Sequence, residues 1–67
     1  MTYQRAIQKA VDLCGSQSEL GRRVGVAQGH VWYWLKTGKV SPLKAKDVER
    51  ATGGQVTAEE LRPDVFS

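Results

Sequence analysis

Apolar residues recur at helical spacing over the first fourteen positions of the chain. Tyr3, Ile7, Ala10, Val11 and Cys14 fall on one face of a helix, and most of the positions between them are polar. A glycine follows directly, which predicts that this first helix ends there.

A capping signal follows that glycine and predicts the start of a second helix. Ser16 and Glu19 have capping-box spacing, in which the serine oxygen accepts from a free amide and the glutamate side chain reaches back. The helix is predicted to run to about Val24. Gly25 can then adopt the left-handed conformation that ends a helix and turns the chain.

A third helix is predicted over residues 28–36. Val31, Trp34 and Leu35 share one face of this segment, and Gly38 supplies its stop. Trp34 is expected in the core, facing the first helix. Two helices joined by a tight glycine turn are the first architectural conclusion.

A fourth helix is predicted to start at Ser41, a serine N-cap followed by Pro42 in the first helical position. It is predicted to end at Gly53-Gly54. Its apolar positions are Leu43, Ala45, Val48 and Ala51.

A short fifth helix has the fullest start signal in the chain. Thr57 and Glu60 form a second capping box, while Val56 and Leu61 sit where a hydrophobic staple would clamp the helix entry. Pro63 is predicted to end the helix and to leave the final "PDVFS" extended. The predicted fold is all-α: one compact domain over residues 1–67, a bundle of about five short helices.

Positive charge is concentrated in the middle of the chain. The net charge is only +3, yet no acid interrupts the stretch between Leu20 and Asp47. Clustering of this kind favours a polyanion as partner, although scattered solvated lysines would give the same count. The cations of the stretch are Arg22, Arg23, Lys36, Lys39, Lys44 and Lys46.

Cysteine content and hydropathy indicate the cellular compartment of the protein. The single cysteine cannot form an internal disulfide, which favours a reducing cytosol, and Cys14 is most simply a small core residue. No stretch approaches the roughly 18 apolar residues of a membrane span, and no signal peptide is seen. We expect a soluble cytoplasmic protein with no membrane partner.

Residues 17–36 have the residue classes of a DNA-binding helix-turn-helix. Gly21 takes the position where the two helices come closest, and Gly25-Val26 forms the turn. The packed positions would be Leu20, Val24, Val31 and Trp34.

Nearly the whole chain resembles the YdaS-type antitoxins and the Cro-like repressors of lambdoid phages and prophages. The resemblance rests on "AIQKA", "GSQSELGRRVGVAQGHVWYWL", "SPLKAKDVERATGG" and "VTAEELRPDVF". It implies a lambda-repressor-like, DNA-binding regulator encoded by a prophage in a bacterial host, beside a toxin or repressor gene. One departure is Ala27, because such proteins commonly begin the second helix of the motif with a hydroxyl N-cap.

Four residues of the third helix are candidates for reading bases in the major groove. Gln28 is the best direct reader, since its amide can bond adenine in bidentate fashion. Gly29 would let the helix backbone approach closely, and Tyr33 offers a hydroxyl and a ring face. Trp32 could instead pack on the fourth helix or at a dimer interface.

Five residues are candidates for phosphate contacts, which position a protein on DNA without reading sequence. Lys44 and Lys46 are weaker candidates on the fourth helix. The five are Arg22, Arg23, His30, Lys36 and Lys39.

Catalysis and ligand binding find no support in the sequence. There is no phosphate-cradling loop, no histidine paired with a nucleophile and no metal-ligand cluster around His30, so no enzyme, metal, cofactor or small-molecule substrate is expected. The main alternative is a helical protein-interaction module that uses Trp32 and Tyr33 as anchors. RNA fits less well, because its major groove does not admit a helix.

The predicted function is repression by occupying an operator in double-stranded DNA. One small module buries little surface, so we expect a homodimer on a palindrome with half-sites about 34 Å apart, formed either in solution or only on DNA. Val65 and Phe66 are candidates for the dimer interface, although packing against the first helix is the commoner fate of such residues.

Overall fold

The computed structural model describes residues 3–66, which form six short helices and the loops between them. No strand occurs in this part, which confirms the all-α fold class, and none of its helices is long and apolar enough to cross a membrane. The helices are α1 (Tyr3–Cys14), α2 (Gln17–Val24), α3 (Gln28–Thr37), α4 (Pro42–Ala51), α5 (Ala58–Leu61) and α6 (Pro63–Phe66).

The helices bury one apolar core, to which α1 to α5 and the loops between them contribute. Trp34 is only 5% exposed, which confirms its predicted place in the core, and Leu35 packs against the core from a half-buried position. The side chains of Tyr3 and Phe66 lie outside the described part of the structure. The fully or almost fully buried aliphatic side chains are Ile7, Leu20, Val31, Val40, Val48, Val56 and Leu61.

Leu43 does not share the apolar face of α4, so the prediction for this residue is wrong. Its side chain is 75% exposed, whereas Ala45 and Val48 are buried. At about 100° per residue, Leu43 lies roughly 170° around the helix from the mean direction of those two residues. Its hydrophobicity therefore does not place it in the core.

The predicted N-caps are confirmed by hydrogen bonds at three helix starts. The hydroxyl oxygens of Ser16, Ser41 and Thr57 each accept from the amide three residues ahead, at 3.1, 3.4 and 3.1 Å. Glu60 also completes its capping box, because its Oε1 accepts from the Thr57 amide at 3.1 Å. Three helix entries are thus fixed by local side chains.

The capping box predicted at α2 is only half formed. Ser16 caps the helix, but the Glu19 carboxylate accepts hydrogen bonds from Arg22 and Arg23 instead of reaching back to the Ser16 amide. Charged guanidinium donors bind a carboxylate more strongly than a neutral amide does. This difference changes the electrostatics of the α2 surface, as described below.

The C-terminal segment differs from the predicted extended conformation. Pro63–Phe66 forms the short helix α6, and the Val65 amide donates to the Arg62 carbonyl at 3.0 Å. Proline suits the first position of a helix as well as the end of one, since it needs no amide hydrogen there. Arg62 anchors the segment by donating to the Val40 carbonyl at 2.7 Å and to the Asp64 carboxylate.

Candidate nucleic-acid interface

The turn between α2 and α3 depends on two glycines. A Cβ at Gly21 would lie 2.8 Å from the carbonyl oxygen of Val26, too close for any other residue without a backbone shift. Gly25 ends α2 in the left-handed region at φ +87°, and the Gly25 and Val26 amides both donate to the Gly21 carbonyl at 2.8 Å. The predicted roles of Gly21 and Gly25 are confirmed.

A glutamine pair joins the first residues of the two helices. Gln28 donates from Nε2 to Oε1 of Gln17 at 2.7 Å. Gln17 was not among the sequence-predicted site residues. The sequence could have indicated Gln17 by its position, because it is the first residue of α2 just as Gln28 is the first residue of α3.

The exposed side of α3 carries all of the sequence-predicted candidates on that helix. Val31 and Trp34 point into the core, which turns the opposite side of the helix to solvent. Trp32 and Tyr33 are 51% and 54% exposed, unusually high for aromatic residues. We call this side the outer face of α3; it consists of Gln28, Gly29, His30, Trp32, Tyr33 and Lys36.

A shallow groove opens on the outer face beside its first turn. It is lined by Ala27, Gly29, His30 and Tyr33. A Cβ at Gly29 would meet no atom within 4 Å, so packing within the chain does not require glycine there. Ala27 caps α3 without any side-chain hydrogen bond, which confirms the missing hydroxyl cap.

Trp32 and Lys36 are coupled on the outer face. The Lys36 ammonium nitrogen lies 4.9 Å from the centroid of the Trp32 ring, within the range of a cation–π interaction. The two residues are four positions apart on α3, so their side chains project from the same side of the helix. Trp32 therefore restrains the position of a predicted phosphate-binding cation.

The predicted phosphate contacts on α2 are already paired within the chain. Arg22 donates from Nε to one Glu19 oxygen at 3.2 Å and from Nη2 to the other, which Arg23 also contacts through Nε at 3.0 Å. The hydrogen bond from Arg22, followed by that from Arg23, lowers the pKa of the Glu19 carboxyl, and the same contact raises the pKa of Arg22. Arg23 also reaches 3.9 Å from the Cys14 sulfur.

The predicted cations thus fall into two groups. Lys36 on the outer face and Lys39 in the following loop are exposed, with Lys36 over the Trp32 ring. On α4, the Lys44 ammonium lies 3.7 Å from the Asp47 carboxylate. Positive charge that no carboxylate within residues 3–66 pairs is therefore provided near the end of α3 by Lys36 and Lys39.

Comparison with known proteins identifies the family. The model of the family described as "Bacterial toxin YdaS" matches residues 7–67. The chain belongs to the YdaS family. This match confirms the resemblance seen in the sequence, and it takes in the whole of α2 and α3.

One relative of this YdaS-family chain carries a functional name. It is "Putative transcriptional regulator YdaS" of Escherichia coli (strain K12), 38% identical over 61 residues. The match covers 90% of this chain and 62% of the relative, so the chain spans less than two thirds of that protein's length. No solved structure matches the chain.

The two names describe different activities. The family is described as a toxin and the relative as a regulator of transcription. Family membership alone therefore does not assign an activity to this YdaS-family chain, and the geometry of the α2 and α3 surface carries the functional argument.

Proposed function

We propose that this YdaS-family chain regulates transcription by binding a specific sequence of double-stranded DNA, with α3 in the major groove. The supporting observation is the outer face of α3, which presents polar, aromatic and cationic side chains on the exposed helix of a helix-turn-helix. The name of the Escherichia coli relative is consistent with this proposal. The chain would act by occupying an operator and would perform no chemistry.

Gln28 is the proposed base reader because its amide keeps free hydrogen-bonding groups. One Nε2 hydrogen is donated to Gln17, which leaves the second hydrogen and the Oε1 oxygen available. These are the two groups that a bidentate contact with adenine requires, worth about 1–3 kcal/mol of discrimination. Gly29 and Tyr33, which line the adjacent groove, would lie against the neighbouring base edges.

Lys36, Lys39 and Gln17 are the proposed phosphate contacts nearest to α3. The Gln17 oxygen accepts from Gln28, so its own amide hydrogens are available to a phosphate oxygen. Lys36 is held over the Trp32 ring, and Lys39 is exposed in the loop after α3. Arg22 and Arg23 would add contacts with a positive charge that the Glu19 carboxylate already partly neutralises.

A two-fold dimer on a palindromic operator is part of the proposal. A single module of this size contacts few base pairs, and half-sites about 34 Å apart would double the contact. Val65 is 48% exposed on α6 and stays a candidate for the dimer contact.

The second candidate function is binding of a protein partner. The half-exposed rings of Trp32 and Tyr33 favour it, since aromatic residues anchor many protein interfaces. A protein partner would not require the acid-free basic stretch from residue 20 to residue 46. The basic stretch therefore favours DNA over a protein partner.

A binding selection from random duplexes of about 30 base pairs, near physiological salt, tests the proposal directly. Enrichment of a palindrome is the expected result and would give the operator. Enrichment of one half-site alone would show a monomeric reader. If folded protein enriches no sequence, the DNA proposal fails and the protein partner becomes the leading candidate.

A further inference from the structure

Glu19 stands at the edge of the basic stretch. It is the last acidic residue before the acid-free run over residues 20–46. It also lies in the first turn of α2, two residues after Gln17, whose side chain is bonded to Gln28 on the outer face of α3. A carboxylate therefore lies on the first helix of the helix-turn-helix, the helix that crosses the phosphate backbone in the proposed docking.

Two guanidinium groups share this carboxylate. Arg22 contacts both Glu19 oxygens, and Arg23 contacts one of them at 3.0 Å. The Glu19 side chain is 28% exposed, whereas the side chains of Arg22 and Arg23 are 73% and 45% exposed. The cluster is thus open to solvent on its arginine side.

Phosphate and carboxylate compete for the same donors. Both anions accept paired hydrogen bonds from a guanidinium group, which presents its donors in a fixed fork. A phosphate that approaches α2 must either draw an arginine away from Glu19, which leaves the carboxylate less compensated, or bind guanidinium groups whose charge Glu19 already partly neutralises. Either route makes binding weaker than it would be with free arginines.

We propose that Glu19 limits the affinity of this chain for DNA by holding Arg22 and Arg23 in an internal pair. The inference rests on the proposed DNA-binding function and assigns Glu19 as an affinity-setting residue. Because the arginines lie on α2, away from the base-reading residues of α3, the limit applies to all duplexes alike. Glu19 would leave sequence preference to Gln28.

The test is Glu19→Gln, which removes the charge and keeps the size of the side chain. The Ser16 cap uses the amide of residue 19, and glutamine also suits this capping position, so α2 should still form. We expect specific and non-specific duplexes to bind about three- to tenfold more tightly. The salt dependence should steepen by about 0.9 in logarithmic slope for each additional phosphate that the freed arginines neutralise.

The matched control is Glu59→Gln, which makes the same charge change at an exposed position on α5. It should change affinity and slope less than Glu19→Gln does. Equal effects of the two substitutions would show that net charge alone is responsible, and they would overturn the inference.

A double-mutant cycle provides the second test. Replacing Arg22 alone by glutamine should weaken binding little while Glu19 is present, because Arg23 still compensates the carboxylate, and clearly more in the Glu19→Gln background. Equal losses in both backgrounds would overturn the inference, as would unchanged or weaker binding by Glu19→Gln. Thermal unfolding checks that each variant is folded.

The failure of the inference is distinguishable from the failure of the proposed function. Wild-type protein that binds duplex DNA while Glu19→Gln binds no more tightly would refute only the role of Glu19. Folded wild-type and variant proteins that bind no duplex at any salt concentration would refute the proposed function and the inference together.

Discussion

Gln28 donates a hydrogen bond to Gln17 across 2.7 Å, and these glutamines are the first residues of α3 and α2. The bond orients the Gln28 amide and brings the starts of both helices to one surface. Since α2 begins with a hydroxyl cap and α3 does not, the pair also supplies a side-chain link at the uncapped end.

Gln28→Ala should relax the preference for one base pair in each half-site of the operator. The lost discrimination is expected to be about 1–3 kcal/mol, the worth of a bidentate amide contact. Gln17→Ala should weaken the same preference by a smaller amount, because Gln28 remains but is no longer oriented. The base-preference profile from the duplex selection measures both effects.

Gln8→Ala is the control for these two variants. Gln8 is an exposed glutamine on α1 that bonds Asp12, so its removal should leave the profile unchanged. A Gln28→Ala profile identical to that of the wild type would contradict the placement of Gln28 in the groove.

Gly21→Ala and Gly29→Ala should change stability in opposite directions. The new methyl group at position 21 would meet the Val26 carbonyl oxygen at 2.8 Å, and overpacking of this kind costs about 1–3 kcal/mol. The methyl group at position 29 would meet nothing within 4 Å, and alanine in a helix is about 0.5–1 kcal/mol more favourable than glycine. Urea unfolding measures both changes.

The Gly29→Ala substitution should also change the affinity for DNA. Gly29→Ala should bind duplex DNA more weakly although it is more stable, because its methyl group narrows the groove beside Tyr33. If this variant binds as tightly as the wild type, the backbone at residue 29 does not approach the DNA.

Ala27→Ser should stabilise the fold. The backbone at residue 27 has φ −71° and ψ 155°, nearly the same as at Ser41, whose hydroxyl caps α4. A serine at position 27 can therefore accept a hydrogen bond from an amide in the first turn of α3. The expected gain is about 1 kcal/mol in the free energy of unfolding, measured by urea denaturation.

Ser41→Ala is the reciprocal variant and should lose a similar amount. A loss at Ser41 without a gain at position 27 would show that the new hydroxyl does not accept a hydrogen bond from an amide in the first turn of α3.

Acid should destabilise the fold through two carboxylates. Hydrogen bonds from Arg22 and Arg23 lower the pKa of Glu19, and the hydrogen bond from Arg62 lowers the pKa of Asp64. A pKa that is lower in the folded state means that the ionised group stabilises the fold above the unfolded pKa of about 4. That contribution is lost as the pH falls through the folded pKa.

The free energy of unfolding should therefore decrease as the pH falls from about 5 towards about 2. The double variant Glu19→Gln, Asp64→Asn should show a smaller decrease, because neither side chain can then titrate. Parallel curves for wild type and variant would assign the acid sensitivity to other carboxylates.

Local signals in the sequence predicted most of the helical framework. The Thr57 and Glu60 box, the Ser41 cap and the Gly25 turn were all predicted, because each depends on groups within three or four residues of one another. The spacing of Glu19, Arg22 and Arg23 is also a local signal for ion pairing, and in the structure this pairing replaces the second half of the capping box at Ser16.

The sequence by itself determined α1 to α5 and the buried face of α3, since apolar periodicity and capping act over a few residues. Only the tertiary structure decided which distant groups meet. Gln17 reaches Gln28 across eleven positions, and Arg62 reaches the Val40 carbonyl across twenty-two. Such contacts depend on how whole helices pack, because no spacing rule links residues so far apart in the chain.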